Sequence, residues 1–453
     1  MQIIIVGCGK VGTALTVQLC NEKHNITVID SNPSVVHSVS TTYDVMGITG
    51  NGSSYNVLME AGIEQADILI AVTTSDEMNL LCCVIAKKAG NCKTIARVRN
   101  PIFNQELDFI RKELGISMII NPELAASLEM ARLLRFPTAI EIDTFAKGRV
   151  EILRFKVPEH SKLIGLALWE ISPRFHCDLL ICVVERDEEL LIPSGNYIVQ
   201  QGDILSMIAT PHNSSDFFKQ MGIRMNQVKN VMIIGGGGIT YYLTQQLIPM
   251  GIAVKIIEKN KTRCEELSEL FPKATIIHAD GSDREVLMEE QIMESDAFVA
   301  LTDIDEENIM LSLFARDKVR RKVITKVNRL NFSDVIHTLN LDSVIYPKYI
   351  TAELILRYVR ATQNSIGSNV ETLHKMMDDR IEALEFIIQP TMKVLDVPIR
   401  QLNLKKDLLI ACINRKGKII IPGGDDRFLI GDTVIVVTTI FGLQDINDIL
   451  KER

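Results

Sequence analysis

The chain has 453 residues, of which 47% are hydrophobic and 23% are charged. This length exceeds what one hydrophobic core serves and predicts three or four domains of an ordinary globular protein. The net charge of −8 argues against a nucleic-acid partner, because phosphate binding normally requires a basic surface. The apolar runs have the length of strands, not the roughly 20 residues that span a bilayer, and the first strand follows Met1 without a signal peptide. We therefore expect a cytoplasmic protein.

Short apolar strands alternate with amphipathic helices over residues 1–120 and again over residues 228–347. Six β-runs joined by helices in each segment predict a doubly wound parallel sheet of the Rossmann type. Within the first segment, the pattern over 78–90 predicts a helix that ends at Gly90 as its C-cap.

A helical linker that begins at a proline follows each sheet, at 122–137 and at 347–364. Residues 139–225 and 369–453 then change to short alternating strands, with turn signals at PSGN (193–196) and PGGDD (422–426) and a Gly-Asp pair near the end of each. The predicted fold is α/β, with two Rossmann-like doubly wound parallel sheets that are each followed by a small α+β module.

This order of elements reflects a tandem duplication. Residues 3–12 read IIIVGCGKVG and residues 231–240 read VMIIGGGGIT, and each stretch is an apolar strand that enters a glycine-rich turn. The segment AGIEQADILIAVTTSDEMN (61–79) is repeated as QIMESDAFVALTDIDEEN (291–308). A repeat that covers nearly the whole chain predicts two copies of one architecture.

The first glycine-rich turn has the features of a dinucleotide-binding loop. Gly7 permits the tight turn, Gly9 lets the backbone approach a pyrophosphate, and Gly12 lets the helix pack against the strand. The free N–H groups of the following helix attract phosphate. Asp30 ends the second strand, where its carboxylate can accept the ribose hydroxyls, which favours NAD(H) or an adenine nucleotide over NADP.

The second turn departs from this pattern at one position. Gly235 and Gly237 match the first two glycines and Glu258 matches Asp30, but Thr240 occupies the place of the third glycine. A β-branched residue there is expected to push the helix away from the sheet, which puts the affinity of the second site in doubt.

Other residues at the carboxyl ends of the strands are expected to line the two crevices. Hydroxyl, amide and carboxylate groups follow strands three and four, and a basic residue that can neutralise phosphate, or form an ordinary salt bridge, lies on strand five. They are Asn51, Gly52, Thr73, Thr74 and Arg97 in the first half, and Asp280, Thr302 and Lys326 in the second.

The duplicated loops, the spacing of the acids, the AVTTSDEMN segment, the basic residue in ARVRNP and the modules that end in Gly-Asp together resemble one family. It is the family of Trk-system potassium uptake regulatory proteins, TrkA, which are built from tandem RCK domains. The resemblance covers essentially the whole chain.

The resemblance implies a regulatory subunit that binds NAD(H), or in related systems ATP or ADP, and sets the activity of an integral-membrane potassium transporter of the Trk/Ktr type. It further implies a homo-oligomer, a dimer or a tetramer, that is peripheral on the inner face of the membrane. The family's nucleotide contacts fall on Gly7, Cys8, Gly9, Lys10, Val11, Asp30, Thr73, Thr74 and Arg97, and in the second half on Gly235, Gly236, Gly237, Gly238 and Glu258. Gly12, Ile239 and Thr240, which continue the two loops, are further candidates for cofactor binding.

No catalytic constellation accompanies these binding motifs in the sequence. The eight histidines are scattered, His278 beside the second crevice is expected to be structural, and a hydride-transfer enzyme needs a proton donor or acceptor at the nicotinamide. The nine cysteines show no ligand spacing and are expected to be reduced, so neither a disulfide framework nor a zinc site is predicted. The alternatives are an NAD-dependent oxidoreductase with duplicated Rossmann domains and a scaffold with vestigial nucleotide sites.

Overall fold

The computed structural model describes residues 1–453 except 102–105, 138, 188, 222–227, 329–335, 337, 340, 365–369, 377–379, 444 and 452–453. The module limits predicted at 225 and 369 fall outside the described residues. Within the described part of the chain, every helix is too short or too polar to cross a lipid bilayer. All nine cysteines are free and eight of them are buried.

The first segment forms a six-stranded sheet in the order β3-β2-β1-β4-β5-β6. All neighbouring strands are parallel, and the strand order reverses between β1 and β4, which is where sheets of this type bind ligands. The strands are β1 Gln2–Val6, β2 Asn25–Asp30, β3 Met46–Thr49, β4 Ile68–Ala71, β5 Lys93–Arg97 and β6 Met118–Ile120. The helices are α1 Lys10–Asn21, α2 Pro33–Tyr43, α3 Tyr55–Glu60, α4 Asp76–Gly90, α5 Leu107–Glu113 and α6 Pro122–Arg135.

The second segment repeats this topology in the order β14-β13-β12-β15-β16-β17, again with parallel pairs throughout. Both sheets confirm the predicted Rossmann-like fold. The strands are β12 Asn230–Ile234, β13 Ala253–Glu258, β14 Thr275–His278, β15 Ala297–Ala300, β16 Lys322–Lys326 and β17 Ser343–Ile345. The helices are α9 Gly238–Leu247, α10 Lys261–Leu270, α11 Arg284–Glu289, α12 Asp305–Arg316 and α13 Pro347–Asn364.

Each remaining segment forms a five-stranded sheet, and the orders are β10-β9-β11-β8-β7 and β18-β19-β22-β20-β21. Neighbouring strands in both sheets are antiparallel. The first contains β7 Ala139–Phe145, β8 Val150–Lys156, β9 Leu179–Arg186, β10 Glu189–Leu191 and β11 Ile204–Ala209, with helices α7 Leu168–Phe175 and α8 Pro211–Gln220. The second contains β18 Val370–Met376, β19 Ile381–Ile387, β20 Leu408–Arg415, β21 Lys418–Ile420 and β22 Thr433–Thr438.

The parallel strands carry apolar side chains on both faces because helices cover both faces of each sheet. In β1, Ile3 and Ile5 belong to one buried cluster, whereas Ile4 and Val6 belong to the cluster on the opposite face. The alternation follows from the two-residue period of a strand. Each strand therefore contributes side chains to two hydrophobic cores, one on each face of the sheet.

The chain divides into two compact units, Met1–Ala131 with Lys229–Val359, and Arg132–Val228 with Arg360–Arg453. In the first unit, the two Rossmann-like halves exchange helices. Ala352, Ile355, Leu356 and Val359 of α13, which follows the second sheet, pack into the core of the first half. Conversely, Ser127 of α6 accepts a hydrogen bond from Gln246 of α9 at 2.8 Å.

In the second unit, the two antiparallel sheets share one apolar core. It contains Ile152, Cys182 and Ile208 from the first sheet, and Ala383, Cys412 and Ile435 from the second, among others. A module of about 85 residues buries a small core by itself, so this shared core adds to the stability of each.

The predicted Gly-Asp pairs stabilise the last loop of each antiparallel module. Gly202 and Gly431 have φ angles of 86° and 83°, a region that favours glycine. The following aspartates are buried, and each binds an arginine through both carboxylate oxygens. Nε of Arg186 lies 2.7 Å from Asp203 Oδ1, and Nη2 of Arg415 lies 2.8 Å from Asp432 Oδ2. The role of these motifs is therefore structural.

The end of α4 corrects one prediction. Gly90 is the last residue of the helix, and Asn91, with a φ of 54°, is the left-handed C-cap. Glycine is required at position 90 for another reason, because a Cβ there would lie 2.0 Å from the carbonyl oxygen of Ile63.

We expect Gly90→Ala to lower the stability of the first unit by about 2–3 kcal/mol, because the new methyl group meets backbone that cannot rotate away. Thermal and urea unfolding of the full chain measure the change. Gly115→Ala is the control, since its φ is 65° but nothing described lies within 4 Å of the added Cβ, and the left-handed conformation alone costs about 1 kcal/mol. Equal losses in the two variants would contradict the contact with Ile63.

Candidate functional site

The first glycine loop joins β1 to α1 at the reversal point of the sheet. Gly7 has a φ of 101°, and a Cβ on it would lie 2.9 Å from the backbone nitrogen of Thr73. A Cβ on Gly12 would lie 1.8 Å from the carbonyl oxygen of Gly7, whereas the described residues leave the space around Gly9 open to 4 Å. The loop is thus closed on its inner side and accessible at Gly9, where a phosphate would approach the N-terminus of α1.

Asp30 lies at the end of β2, beside this loop. Its Oδ2 accepts a hydrogen bond from the N–H of Cys8 at 2.7 Å, and its Oδ1 accepts one from Asn32 at 2.9 Å. Burial, and secondarily the charge of Asp30, raises the pKa of the Cys8 thiol to about 12, so the thiol stays protonated at neutral pH. The two backbone hydrogen bonds hold the carboxylate at the end of β2, beside the glycine loop.

The second half reproduces this arrangement around Glu258. Its Oε2 accepts the N–H of Gly236 at 2.5 Å, and its Oε1 accepts that of Asn260 at 2.6 Å. Gly235 has a φ of 98°, as Gly7 does in the first half. The acid and the loop are therefore joined by the same hydrogen bond in both crevices.

Thr240 is accommodated within the second loop. Its hydroxyl donates to the carbonyl oxygen of Gly235 at 2.6 Å, and the residue is fully buried. It supports the loop from behind, where Gly12 stands in the first half, and Ile239 beside it is also buried. Gly237, like Gly9, caps its helix in an extended conformation.

The loops after β4 and β15 are held by buried asparagines that sequence reasoning missed. Asn79 Oδ1 accepts hydrogen bonds from the backbone N–H of Thr73 at 2.8 Å and from its hydroxyl at 2.7 Å, and Asn79 Nδ2 donates to Arg97 O at 2.8 Å. Asn308 bonds Thr302 N at 2.8 Å and Lys326 O at 3.1 Å. The repeat contains a sequence pattern that could have identified them, since each asparagine lies six residues after the threonine that it bonds.

Basic residues end strand five in each half. Arg97 donates to the carbonyl oxygen of Thr73, and the neighbouring Arg99 donates to that of Thr74 at 2.7 Å. Burial, and then the charge of Arg99, lowers the pKa of Arg97. The Nε atoms of both arginines are buried and have no hydrogen-bond acceptor among the described residues, and Arg99 Nε lies 3.8 Å from Asp76 Oδ1.

Lys326 takes the corresponding place in the second half. Its Nζ lies 3.4 Å from Leu301 O and 3.5 Å from Asp303 Oδ1. Burial lowers its pKa, against the opposing effect of Asp303. The second crevice therefore has a less exposed cation than the first and an acid beside it.

The residues after strand three form turns at the edge of each crevice. Asn51 Oδ1 accepts from the N–H and the hydroxyl of Ser53 at 3.0 and 2.9 Å, and a Cβ on Gly52 would lie 2.1 Å from Val6. Asp280 bonds Ser282 in the same way, and with Lys259 these bonds lower the pKa of Asp280 to about 2. His278 Nε2 lies 3.2 Å from Lys259 O, which fits the structural role expected of it.

A second cation of the second crevice was also missed. Nε of Arg263, in the first turn of α10, donates to the carbonyl oxygen of Gly236 at 2.7 Å. In the described part of the chain, no three His, Cys, Asp or Glu side chains are grouped so that they could hold a metal ion. The donors, the glycine cradles and the pre-placed acids fit an adenine dinucleotide or mononucleotide in each crevice.

Comparison with known families gives matches in both halves. Residues 3–122 and 231–347 match the TrkA-N domain, and residues 152–222 and 383–451 match the TrkA-C domain. A Trk system potassium uptake protein TrkA homolog of Archaeoglobus fulgidus is 31% identical over 453 residues, which is all of both chains. The Trk system potassium uptake protein TrkA of Haemophilus influenzae is 30% identical, over 96% of this chain and 95% of its own.

Two solved structures share the fold. The GsuK channel bound to NAD aligns with a TM-score of 0.65 at 16% identity, over 96% of this chain and 76% of that one. GsuK bound to ADP aligns with a TM-score of 0.51 at 13% identity, over 80% of this chain and 69% of that one.

We expect Asn79→Ala to destabilise the first unit by about 2–4 kcal/mol, because Thr73 N–H and Arg97 C=O lose their buried partner. Chemical denaturation of the full chain measures the loss, and Asn308→Ala in the second half is predicted to behave alike. The exposed Asn21→Ala is the control, with a change within about 0.5 kcal/mol. A loss no larger than that control would show that the two loops do not depend on these asparagines.

Proposed function

We propose, because this chain belongs to the TrkA family, that it is a cytoplasmic regulatory subunit that binds NAD(H) or an adenine nucleotide and controls a membrane potassium transporter. One observation carries the proposal. In each crevice, a loop N–H binds the carboxylate that ends the second strand, at 2.7 Å in the first and 2.5 Å in the second. Both halves thus keep the ribose acceptor in contact with the phosphate loop.

Each group has a role in this proposal. Asp30 and Glu258 accept the ribose hydroxyls, and the N–H groups at the starts of α1 and α9 bind the phosphates. Arg97 neutralises phosphate charge in the first crevice. Thr73 and Thr302 line the crevices on loops that asparagines hold in place.

The relatives and the shared fold support this assignment. The curated relatives are named as potassium uptake proteins, and the GsuK structures with NAD and with ADP have the same fold. We assign binding rather than catalysis to the two crevices. The oxidoreductase alternative requires turnover of NADH with a small carbonyl compound.

Nucleotide binding changes the activity of a partner only if the nucleotide has different affinities for two arrangements of the protein. The coupling free energy between two such sites is typically ~1–3 kcal/mol. We propose that the chain acts as a homo-oligomer, peripheral on the inner face of the membrane, and that an integral-membrane subunit conducts the ion. A nucleotide that prefers one arrangement then changes the activity of that subunit.

We expect Asp30→Ala to remove NADH binding from the first crevice, because the ribose hydroxyls lose their acceptor. Isothermal titration of the full chain should give two sites in the unaltered protein and one in the variant, with a similar unfolding midpoint. Glu258→Ala is the matched change and should remove the other site. Two undiminished sites in Asp30→Ala would refute the first crevice as the binding site.

We further expect the chain to co-purify with an integral-membrane transporter from detergent-solubilised membranes, and nucleotide to change the amount recovered. Tagged protein is captured with and without NADH, and the bound proteins are identified by mass spectrometry. The Asp30→Ala, Glu258→Ala double variant is the control and should lose the response to NADH. Recovery of the chain without a membrane protein under all conditions would contradict the proposed partner.

A further inference from the structure

Glu123 brings a carboxylate from the first half to the phosphate loop of the second. It follows Pro122 in the first turn of α6, one of the exchanged helices. A Cβ built on Gly238 would lie 3.1 Å from Glu123 Cδ and 3.4 Å from Glu123 Oε1. Gly238 is the first residue of α9, so the carboxylate lies against the helix terminus where the second crevice would take phosphate.

Neighbouring contacts fix this position. Asn121, two residues earlier, donates from Nδ2 to the hydroxyl of Tyr242 on α9 at 2.8 Å, and Tyr242 in turn donates to Arg99 O at 3.2 Å. Ser127 and Gln246 join the same two helices one turn later. The start of α6 is therefore tied to α9 on both sides of Glu123.

Charged groups from both crevices surround this carboxylate. Burial raises the pKa of Glu123, and Arg99, Arg97 and Lys326 oppose that effect while Asp76 adds to it. Two of these cations, Arg97 and Arg99, also bond the Thr73-Thr74 loop of the first crevice. Glu123 thus adds negative charge to the second crevice near cations that are already engaged.

The first half differs in charge at the equivalent positions of the repeat. Lys10 stands in its loop where the second loop has Gly238, and the repeat places Lys348 after Pro347 where the first half has Glu123 after Pro122. Lys10 is exposed, and Lys348 donates to Asn328 O. The duplicated crevices therefore differ in the charge that a phosphate chain would meet.

We propose that Glu123 determines the nucleotide selectivity of the second crevice, which discriminates against a third phosphate and so prefers ADP or a dinucleotide to ATP. This inference rests on the proposed nucleotide-binding function. The N–H groups of the second glycine loop can bind a diphosphate. A third phosphate would add a further negative charge beside the carboxylate of Glu123. Two like charges roughly 7 Å apart in a partly buried site generally repel enough to change binding about tenfold.

The test isolates the second crevice in the full chain. In an Asp30→Ala background, ADP and ATP are titrated by calorimetry in EDTA, so that no divalent cation masks phosphate charge. Binding that disappears on adding Glu258→Ala belongs to the second crevice. The quantity measured is the ratio of the ATP and ADP dissociation constants.

Glu123→Gln should lower this ratio about tenfold, and Glu123→Lys should lower it further, because each change removes negative charge beside the loop. Glu113→Gln, on the exposed surface of α5, changes the net charge equally and should leave the ratio as it was. ADP affinity serves as the internal reference for correct folding.

The outcomes separate the two claims. An unchanged ratio in Glu123→Gln, with ADP still bound, overturns the role of Glu123 and leaves the proposed function standing. Loss of all nucleotide binding in the Asp30→Ala background overturns both the occupancy of the second crevice and its selectivity. An equal shift in Glu113→Gln would assign the effect to net charge and also overturn the inference.

Discussion

The hydrogen bond between the glycine loop and the acid at the end of the next strand is the constraint on which both crevices depend. It joins Cys8 to Asp30 and Gly236 to Glu258, and it connects the carboxyl ends of two adjacent parallel strands. The turn that presents this N–H requires a positive φ at Gly7 and Gly235. The acid also lies beside the N-terminus of the following helix, whose dipole favours anionic groups.

Much of the fold follows from local pattern. Strands with apolar residues on both faces, helices of regular length and glycine turns specify a doubly wound sheet, because each feature has a short-range physical cause. The exchange of α6 and α13 between the halves does not follow in this way. An amphipathic pattern shows that Leu356 or Ser127 belongs to a helix with a buried face, but it does not show which sheet lies opposite. The sequence therefore assigns Glu123 to the first half, although in the structure its carboxylate lies beside the glycine loop of the second half.

The site was predictable where a residue type has one dominant role. Gly7 and Asp30 are recognised because the loop geometry demands them. Asn79 and Asn308 were missed because an asparagine within a helical pattern usually indicates nothing, and their function depends on contacts with other strands. Thr240 shows the limit of a motif rule, since its hydroxyl bonds Gly235 O and occupies the space that a glycine leaves in the first half.

Duplication within one chain removes the symmetry that an assembly of identical copies imposes. Lys10 and Gly238 occupy equivalent positions of the repeat, as do Lys348 and Glu123, so the two halves of the first unit differ in charge at these positions. The helices that carry Lys348 and Glu123 are the ones exchanged between the halves. A ligand at the Gly238 loop would therefore lie beside a side chain from the other half. If that contact differed between two arrangements of the protein, the difference would be a coupling free energy between the sites. Because coupling is reciprocal, nucleotides that prefer different crevices can influence each other's binding in a single chain.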